Sequence, residues 1–350
     1  MTANITTENA QGVFSDAMLE ALFKSGGVSS ERALDSDQIQ PASLDLRLGK
    51  KAFRMRASFL PGKGNRVVDF FDDDLVMHEV DLSQGAVLET GCVYLAPLQE
   101  TLNLPMDLSG AANPKSSTGR IDVFVRMVTD GADRFDAAPA GYRGPLYVEI
   151  SPRTFSILAH EGDRLLQLRV RRGPQMPVSD LTFSIDLRPG ENDIAGYRAK
   201  RHSRVLDLSR VGGHFVEDFW EPVRPHNGAI ILDPGEFYIL ASKGKVVIPV
   251  DQAAEMAPIA PELGEFRAHY AGFFDPGFGV QSEEGRAVLE VRSREVPFIL
   301  TDGQPVGKLV FEPMAENPRV PYGHAGSSSN YQGQGLKLSK HFAMGRHRSD

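Results

Sequence analysis

Short apolar runs, broken at close intervals by Gly, Pro and Asp, dominate this chain. Val148 to Leu158, Arg164 to Val170, Ala229 to Leu240 and Pro297 to Leu300 have the length and punctuation of β-strands. In Leu146-Tyr147-Val148-Glu149-Ile150, alternation puts Leu146, Val148 and Ile150 on one face and Tyr147 with Glu149 on the other. Helix is sparse. The clearest case runs from Asp16 to Lys24, with Ser15 as N-cap and Met18, Leu19, Leu22 and Phe23 on one face. Many short strands with turn signals predict an all-β protein, a sandwich, jelly roll or distorted barrel with few short helices.

The pattern repeats. Val87-Leu88-Glu89-Thr90-Gly91-Cys92-Val93-Tyr94-Leu95 resembles Ile231-Leu232-Asp233-Pro234-Gly235-Glu236-Phe237-Tyr238-Ile239 at an offset of 144 residues. Leu104-Pro105-Met106-Asp107 pairs with Ile248-Pro249-Val250-Asp251 at the same offset, and Val148-Glu149 with Leu289-Glu290 at 141. A match this long predicts a duplicated domain rather than a solenoid unit. Pro177, Pro189 and Gly190 interrupt the pattern between Gln175 and Asp193, which suggests domains over 1–185 and 186–350.

Composition narrows the function. The 350 residues, 41% hydrophobic, suffice for two cores, and the net charge of -8 disfavours a general nucleic-acid surface. The single cysteine, Cys92, excludes an internal disulfide framework and fits a reducing cytoplasm. No apolar run of about 18 residues predicts a membrane span. The opening MTANITTENAQG lacks the basic and apolar regions of a signal peptide.

Candidate chemistry centres on Lys115-Ser116-Ser117-Thr118-Gly119-Arg120, where two cations, short hydroxyl donors and a glycine can cradle a polyanion. It is not a Walker A loop. Glu149 is a candidate general base, and Glu290 is its counterpart in the second repeat. That repeat has Pro258-Ile259-Ala260-Pro261-Glu262-Leu263-Gly264 in place of the cradle, so one working cradle per chain is expected. The tail, Pro321-Tyr322-Gly323-His324 with Tyr331-Gln332-Gly333-Gln334, reads as a flap that orders over an anionic ligand. One cysteine cannot build the zinc site of the metal-dependent deaminases, and the G-x-S-x-G elbow is absent.

These motifs resemble a family. Ile39-Gln40-Pro41-Ala42-Ser43-Leu44-Asp45-Leu46-Arg47-Leu48-Gly49 is similar to the N-terminal signature of the dCTP deaminases, members of the dUTPase-like β superfamily. Lys115 to Arg120 resembles their R-S-S-x-x-R loop, with Lys in place of the first Arg. Pro139-Ala140-Gly141-Tyr142-Arg143-Gly144-Pro145-Leu146-Tyr147-Val148-Glu149 resembles their D-P-G-W-x-G-x-x-x-x-E segment, with Pro139 at the Asp position. Asp275-Pro276-Gly277-Phe278-Gly279 keeps the D-P-G-aromatic form in the second repeat.

The resemblance implies two tandem dUTPase-like distorted jelly-roll or barrel domains that deaminate dCTP to dUTP and ammonia without zinc. Glu149 is the implied base, with Ser116 and Arg120 positioning the water and stabilising the polarised ring. Lys115, Ser117, Thr118, Gly119, Tyr147, Val148, Tyr322, Tyr331 and Gln334 are the implied substrate contacts, with Mg2+ accompanying the triphosphate. A homo-oligomer is expected. Active sites of the superfamily lie between subunits, which leaves room for the second repeat to stand in for a neighbour. Tyr142-Arg143-Gly144 also resembles the dUTPase branch, so dUTP pyrophosphatase or bifunctional activity is an alternative, with Asp136 a substitute for the missing Asp. A non-catalytic nucleotide-binding regulator is another.

Overall fold

The computed structural model describes residues 10–343 and 345, except 73, 189–192, 258–265, 270–271, 282–284, 294 and 325–334, with backbone alone at 266–269. The predicted helix spans Asp16–Lys24, and Ser15 Oγ accepts the Met18 N–H at its N-terminus. Leu19 and Leu22 are buried, with Met18 and Phe23 packed against the same core. Two other helices, Ser116–Gly119 and Val216–Phe219, are single turns. The remaining described elements are mainly strands.

Two six-stranded sheets build the first half. One runs Ala137–Ala138, Leu108–Pro114, Arg164–Arg172, Ser43–Arg47, Ile39–Gln40, with Gly12–Val13 also on Arg164–Arg172. The other runs Val123–Thr129, Arg143–Pro152, Val93–Asn103, Lys51–Met55, Val76–Asp81, with Val28–Ser30 also on Val93–Asn103. Leu46, Leu166, Leu168, Val123, Leu146, Val148 and Ile150 meet between them as a closed apolar core.

The second half holds a four-stranded, a five-stranded and a two-stranded sheet. The order Phe266–His269, Val288–Ser293, Phe237–Ala241 matches the order Val123–Thr129, Arg143–Pro152, Val93–Asn103 of the first half. Glu149 lies opposite Leu95, and Glu290 opposite Ile239. The Tyr94 hydroxyl accepts from Glu89 N–H at 3.0 Å, and the Tyr238 hydroxyl from Asp233 N–H at 3.0 Å.

The halves interlock. Ser179–Ser184 pairs with Pro305–Pro313, so strand pairing changes sides between Arg172 and Ser179. Leu206–Asp207 returns to pair in parallel with Ile157–Ala159. Leu338 and Phe342, near the C-terminus, are buried in the first half's core, where Phe342 meets Phe219 at 5.4 Å and Trp220 at 5.8 Å. Among the described residues no helix is long and apolar enough to cross a membrane.

Candidate active site

The cradle is built by a strand that runs out of partners. Pro114 is the last residue of its strand, opposite Leu166. Lys115 N–H donates to Leu165 O, and the chain then closes one helical turn, with Thr118, Gly119 and Arg120 N–H donating back to Lys115 O and Ser116 O. Thr118 Oγ1 donates to Leu165 O at 2.9 Å and locks the turn to the sheet. Asp122 ends it in a left-handed conformation, φ 54°.

The C-terminal segment straps this turn down. Ser339 Oγ donates to Ser117 O at 2.9 Å, and Arg120 donates through its guanidinium to Lys337 O at 2.9 Å. His341, beside Ser339 Oγ at 2.9 Å, is buried and held neutral, its pKa pushed down to about 3 by burial and by Lys340.

The cradle forms one wall of a cavity of about 300 Å3. Lys115, Ser116, Ser117, Thr118, Gly119 and Arg120 all line it, as does Tyr322 from the tail. The end near Lys115 is rich in paired charge. Lys115 Nζ meets the buried Asp45 Oδ2, and Arg164 pairs with Asp35 at 2.6 Å and Asp37 at 2.8 Å. Lys340 also lines this end, its pKa lowered by burial and then by Lys115.

The carboxylate at the other end is Glu290, not Glu149. Glu290 lies on Val288–Ser293, with Leu289 and Val291 turned into the second half's core and Glu290 turned toward the cradle. A Cβ added to Gly119 would lie 2.9 Å from Glu290 Oε1, so only glycine gives the carboxyl this close an approach. Burial raises the Glu290 pKa to about 8; Arg120 opposes the shift and Asp122 adds to it.

Glu149 lies outside the cavity lining. It is buried and bound by Arg126, whose Nη2 and Nε donate to Oε1 at 2.6 and 3.1 Å, and Arg126 in turn stacks on Phe135 at 3.5 Å. Arg126 is the residue opposite Glu149 on the neighbouring strand, so the pair is a product of strand register. Tyr147, on the same face, packs with Met55, Val67, Leu95 and Val128 in a satellite cluster. Val148 points into the main core and is fully buried, as the period-2 pattern requires. Tyr147 and Val148 are therefore packing residues, not cavity contacts. Tyr331 and Gln334 lie outside the described residues, as does Pro258–Gly264.

The second half also supplies Asp275, the first residue of its Asp-Pro-Gly-Phe-Gly turn, to the cavity. Burial raises the Asp275 pKa, against the pull of Arg169, which lies 3.5 Å away. Arg169, from the first half, donates to Ala254 O and Phe274 O at 2.8 Å each and fastens the turn. Gly277, φ 93°, leaves room for Pro321 and Tyr322 to cross it, and Tyr322 packs on Phe278 at 5.4 Å. The retained Asp-Pro-Gly-aromatic motif was the signal in the sequence that the second half contributes to the cavity.

An anion cradle from one half facing a carboxylate from the other is therefore the chemistry on offer, and comparison with known proteins supplies its context. Two family models match along the chain. The 2'-deoxycytidine 5'-triphosphate deaminase N-terminal domain covers residues 10–174, and the C-terminal domain covers 158–342. A dCTP deaminase, dUMP-forming, of Methanothermobacter thermautotrophicus is 32% identical over 154 residues, 43% of this chain and 74% of that protein. Another protein of that name, from Methanosphaera stadtmanae, is 36% identical over 163 residues, 45% of this chain and 78% of that protein. The crystal structure of 2'-deoxycytidine 5'-triphosphate deaminase from Agrobacterium tumefaciens superposes with a TM-score of 0.84 at 54% identity, covering 89% of this chain and all of that one. With matches spanning both halves, and the cradle and its carboxylate falling within them, the chain belongs to the 2'-deoxycytidine 5'-triphosphate deaminase family.

Proposed function

We propose that this protein hydrolyses dCTP to dUTP and ammonia, with Glu290 as general base. The observation that carries the assignment is the Glu290 carboxyl set against Gly119 and Arg120 in the cavity. The relatives and the solved neighbour, all named dCTP deaminases, support the substrate and the reaction.

In this reading the triphosphate lies toward Lys115, and the cytosine ring reaches Glu290. Glu290 takes a proton from water as the oxygen bonds to C4, and passes it to N3 of the ring. The carboxyl then moves the proton of the new C4 hydroxyl to the exocyclic amine, the C4 carbonyl forms as the C4–N4 bond breaks, and ammonia leaves. Ser116 and Arg120 hold the water and the developing charge on the ring. A carboxyl with a pKa near neutrality suits a group that must both accept and return a proton. Preorganised donors around C4 supply the remaining stabilisation.

Mg2+ enters this proposal as the counter-ion of the triphosphate. Among the described residues no group of three or more His, Cys, Asp or Glu side chains is arranged to hold a metal. The donor set suits a cation carried by phosphate oxygens rather than a protein cage. Zinc-independent chemistry, with the carboxyl rather than a metal activating water, belongs to the same proposal. So do a cytoplasmic location, a homo-oligomer, and an origin of the two halves as a fused, diverged pair in which each supplies one wall of the site.

The names of the two dUMP-forming relatives favour a second reading, in which dUTP is carried on to dUMP and pyrophosphate. Asp136 does not line the cavity; it accepts from Met127 N–H at 2.7 Å on the first half's sheet. Incubation with dCTP and Mg2+, with a transition-metal chelator present, tests both readings. Ammonia with dUTP supports the first, and ammonia with dUMP and pyrophosphate the second. No ammonia overturns both and leaves a nucleotide-binding regulator.

A further inference from the structure

The strand that carries Glu290 touches the first half at a second point. Val288, Glu290 and Arg292 share one face of it, by the alternation of a strand. Val288 packs into the first half's core and Glu290 meets Gly119. Arg292 donates through Nη2 to Asp122 Oδ2, and at 3.0 Å to Thr154 Oγ1. Its Nη1 reaches Gly235 O, which ties it to its own half as well.

Asp122 is the residue that ends the cradle. Its N–H donates to Gly119 O at 2.9 Å, and its C=O accepts from Arg153 N–H at 2.9 Å. A non-glycine residue in the left-handed region is held there by its surroundings. Here the side chain, almost fully buried, is gripped by Thr154 Oγ1 at 2.5 Å and by Arg292. One residue therefore closes the anion cradle with its backbone and holds the base-bearing strand with its carboxylate. The first half has Ser151 two residues after Glu149, so it lacks this contact.

We infer that the Asp122–Arg292 pair, with Thr154, is a positioning device that sets the catalytic carboxyl against the cradle and tunes its proton affinity. This rests on the reading of Glu290 as the base. Among the described residues, the charged groups acting on Glu290 are Arg120 and Asp122 from the cradle, with Arg292 two residues along its own strand and paired with Asp122. Ile239 stands opposite on one neighbouring strand and His269 on the other in register. Arg292 screens the Asp122 charge from Glu290. Removing either partner therefore moves the Glu290 proton in opposite directions.

The test is the pH profile of ammonia release from dCTP by Asp122→Asn, Arg292→Gln, Arg292→Lys and the double Asp122→Asn/Arg292→Gln variant, with a thermal melt of each. Asp122→Asn is expected to move the acid limb of kcat/KM down by about one pH unit, and Arg292→Gln to move it up by a similar amount. The double variant returns it close to the parent position. Arg292→Gln should lower kcat about tenfold or more, with KM changed far less, and Arg292→Lys should recover most of that loss. Limbs that stay in place, or move the same way for both single variants, overturn the inference, as does a kcat loss that only follows the fall in melting temperature. Loss of all ammonia release in the parent protein, or full activity in Glu290→Gln, instead overturns the reading of the site.

Discussion

Exchange of the two glutamates for glutamine separates the two halves of the chain. At pH 7 a carboxyl with a pKa of about 8 is mostly protonated in the empty enzyme, and glutamine has the same shape and neutrality. Glu290→Gln should therefore fold with a stability within about 1 kcal/mol of the parent. Its kcat/KM should fall about 10²–10⁴-fold, the usual cost of losing a general base. Glu149→Gln should do the reverse. Two hydrogen bonds from Arg126, 2.6 and 3.1 Å long, end on one carboxylate oxygen. Breaking a fully buried pair costs about 3–5 kcal/mol. The Arg126 side chain is 24% exposed and glutamine keeps a neutral acceptor, so about 1–3 kcal/mol is expected, a fall of a few degrees in melting temperature. Turnover should stay within about twofold of the parent, since nothing at the cavity changes. Ammonia release under saturating and limiting dCTP, with a melt of each variant, measures both effects. A folded Glu149→Gln protein without turnover beside an active Glu290→Gln would refute the assignment.

The pH dependence follows from the same carboxyl: kcat/KM should rise about tenfold per unit below the Glu290 pKa and level off above about 8, as the base loses its proton. Its pKa is raised above the free value of 4.5, so between there and about 8 the native protein holds a proton that the unfolded chain does not. Stability should thus fall as pH climbs through that window, and Glu290→Gln should flatten the slope of melting temperature against pH. Ser339→Ala removes the hydrogen bond to Ser117 O and should cost about 1 kcal/mol in a melt while raising KM for dCTP. Calorimetric titration of Glu290→Gln with dCTP and Mg2+ should give one nucleotide per chain; two would mean that the first half's Glu149 face also binds.

Local signals in the sequence reached far into the structure. Ser15 caps the helix that its spacing predicted, because capping and amphipathic spacing are decided within one turn. The split of Leu146, Val148 and Ile150 from Tyr147 and Glu149 also holds, since a strand allows no other division. The same split shows why Val148 does not line the cavity. The choice between Glu149 and Glu290 was a different problem. Both occupy the same place in similar strands, and what distinguishes them is the tertiary neighbour: Arg126 across the strand for one, Gly119 across the two halves for the other. No periodicity encodes a contact 171 residues away along the chain. The Asp275-Pro276-Gly277-Phe278-Gly279 turn was the available clue, because it keeps the aspartate that Pro139 replaces.

The division of labour between the halves follows from electrostatics. A carboxylate can serve as a base at C4 only if nothing nearby neutralises it permanently. On the first half Arg126 stands opposite Glu149 in strand register and holds it through two hydrogen bonds to one carboxylate oxygen. That half keeps its cradle, whose Lys115 is paired with Asp45, beside Arg164 paired with Asp35 and Asp37, at the other end of the cavity. Among the described residues of the second half no such arginine grips Glu290 on its own sheet, and Arg292, two residues along, is turned to Asp122. Glu290 is left facing Gly119 and Arg120, desolvated and with its pKa raised toward neutrality. A chain in which both glutamates were gripped would have no base, and one in which neither was gripped would bury two carboxyls at the cost of folding stability. The observed pairing neutralises Glu149, which faces no cradle, and leaves Glu290 facing Gly119 and Arg120.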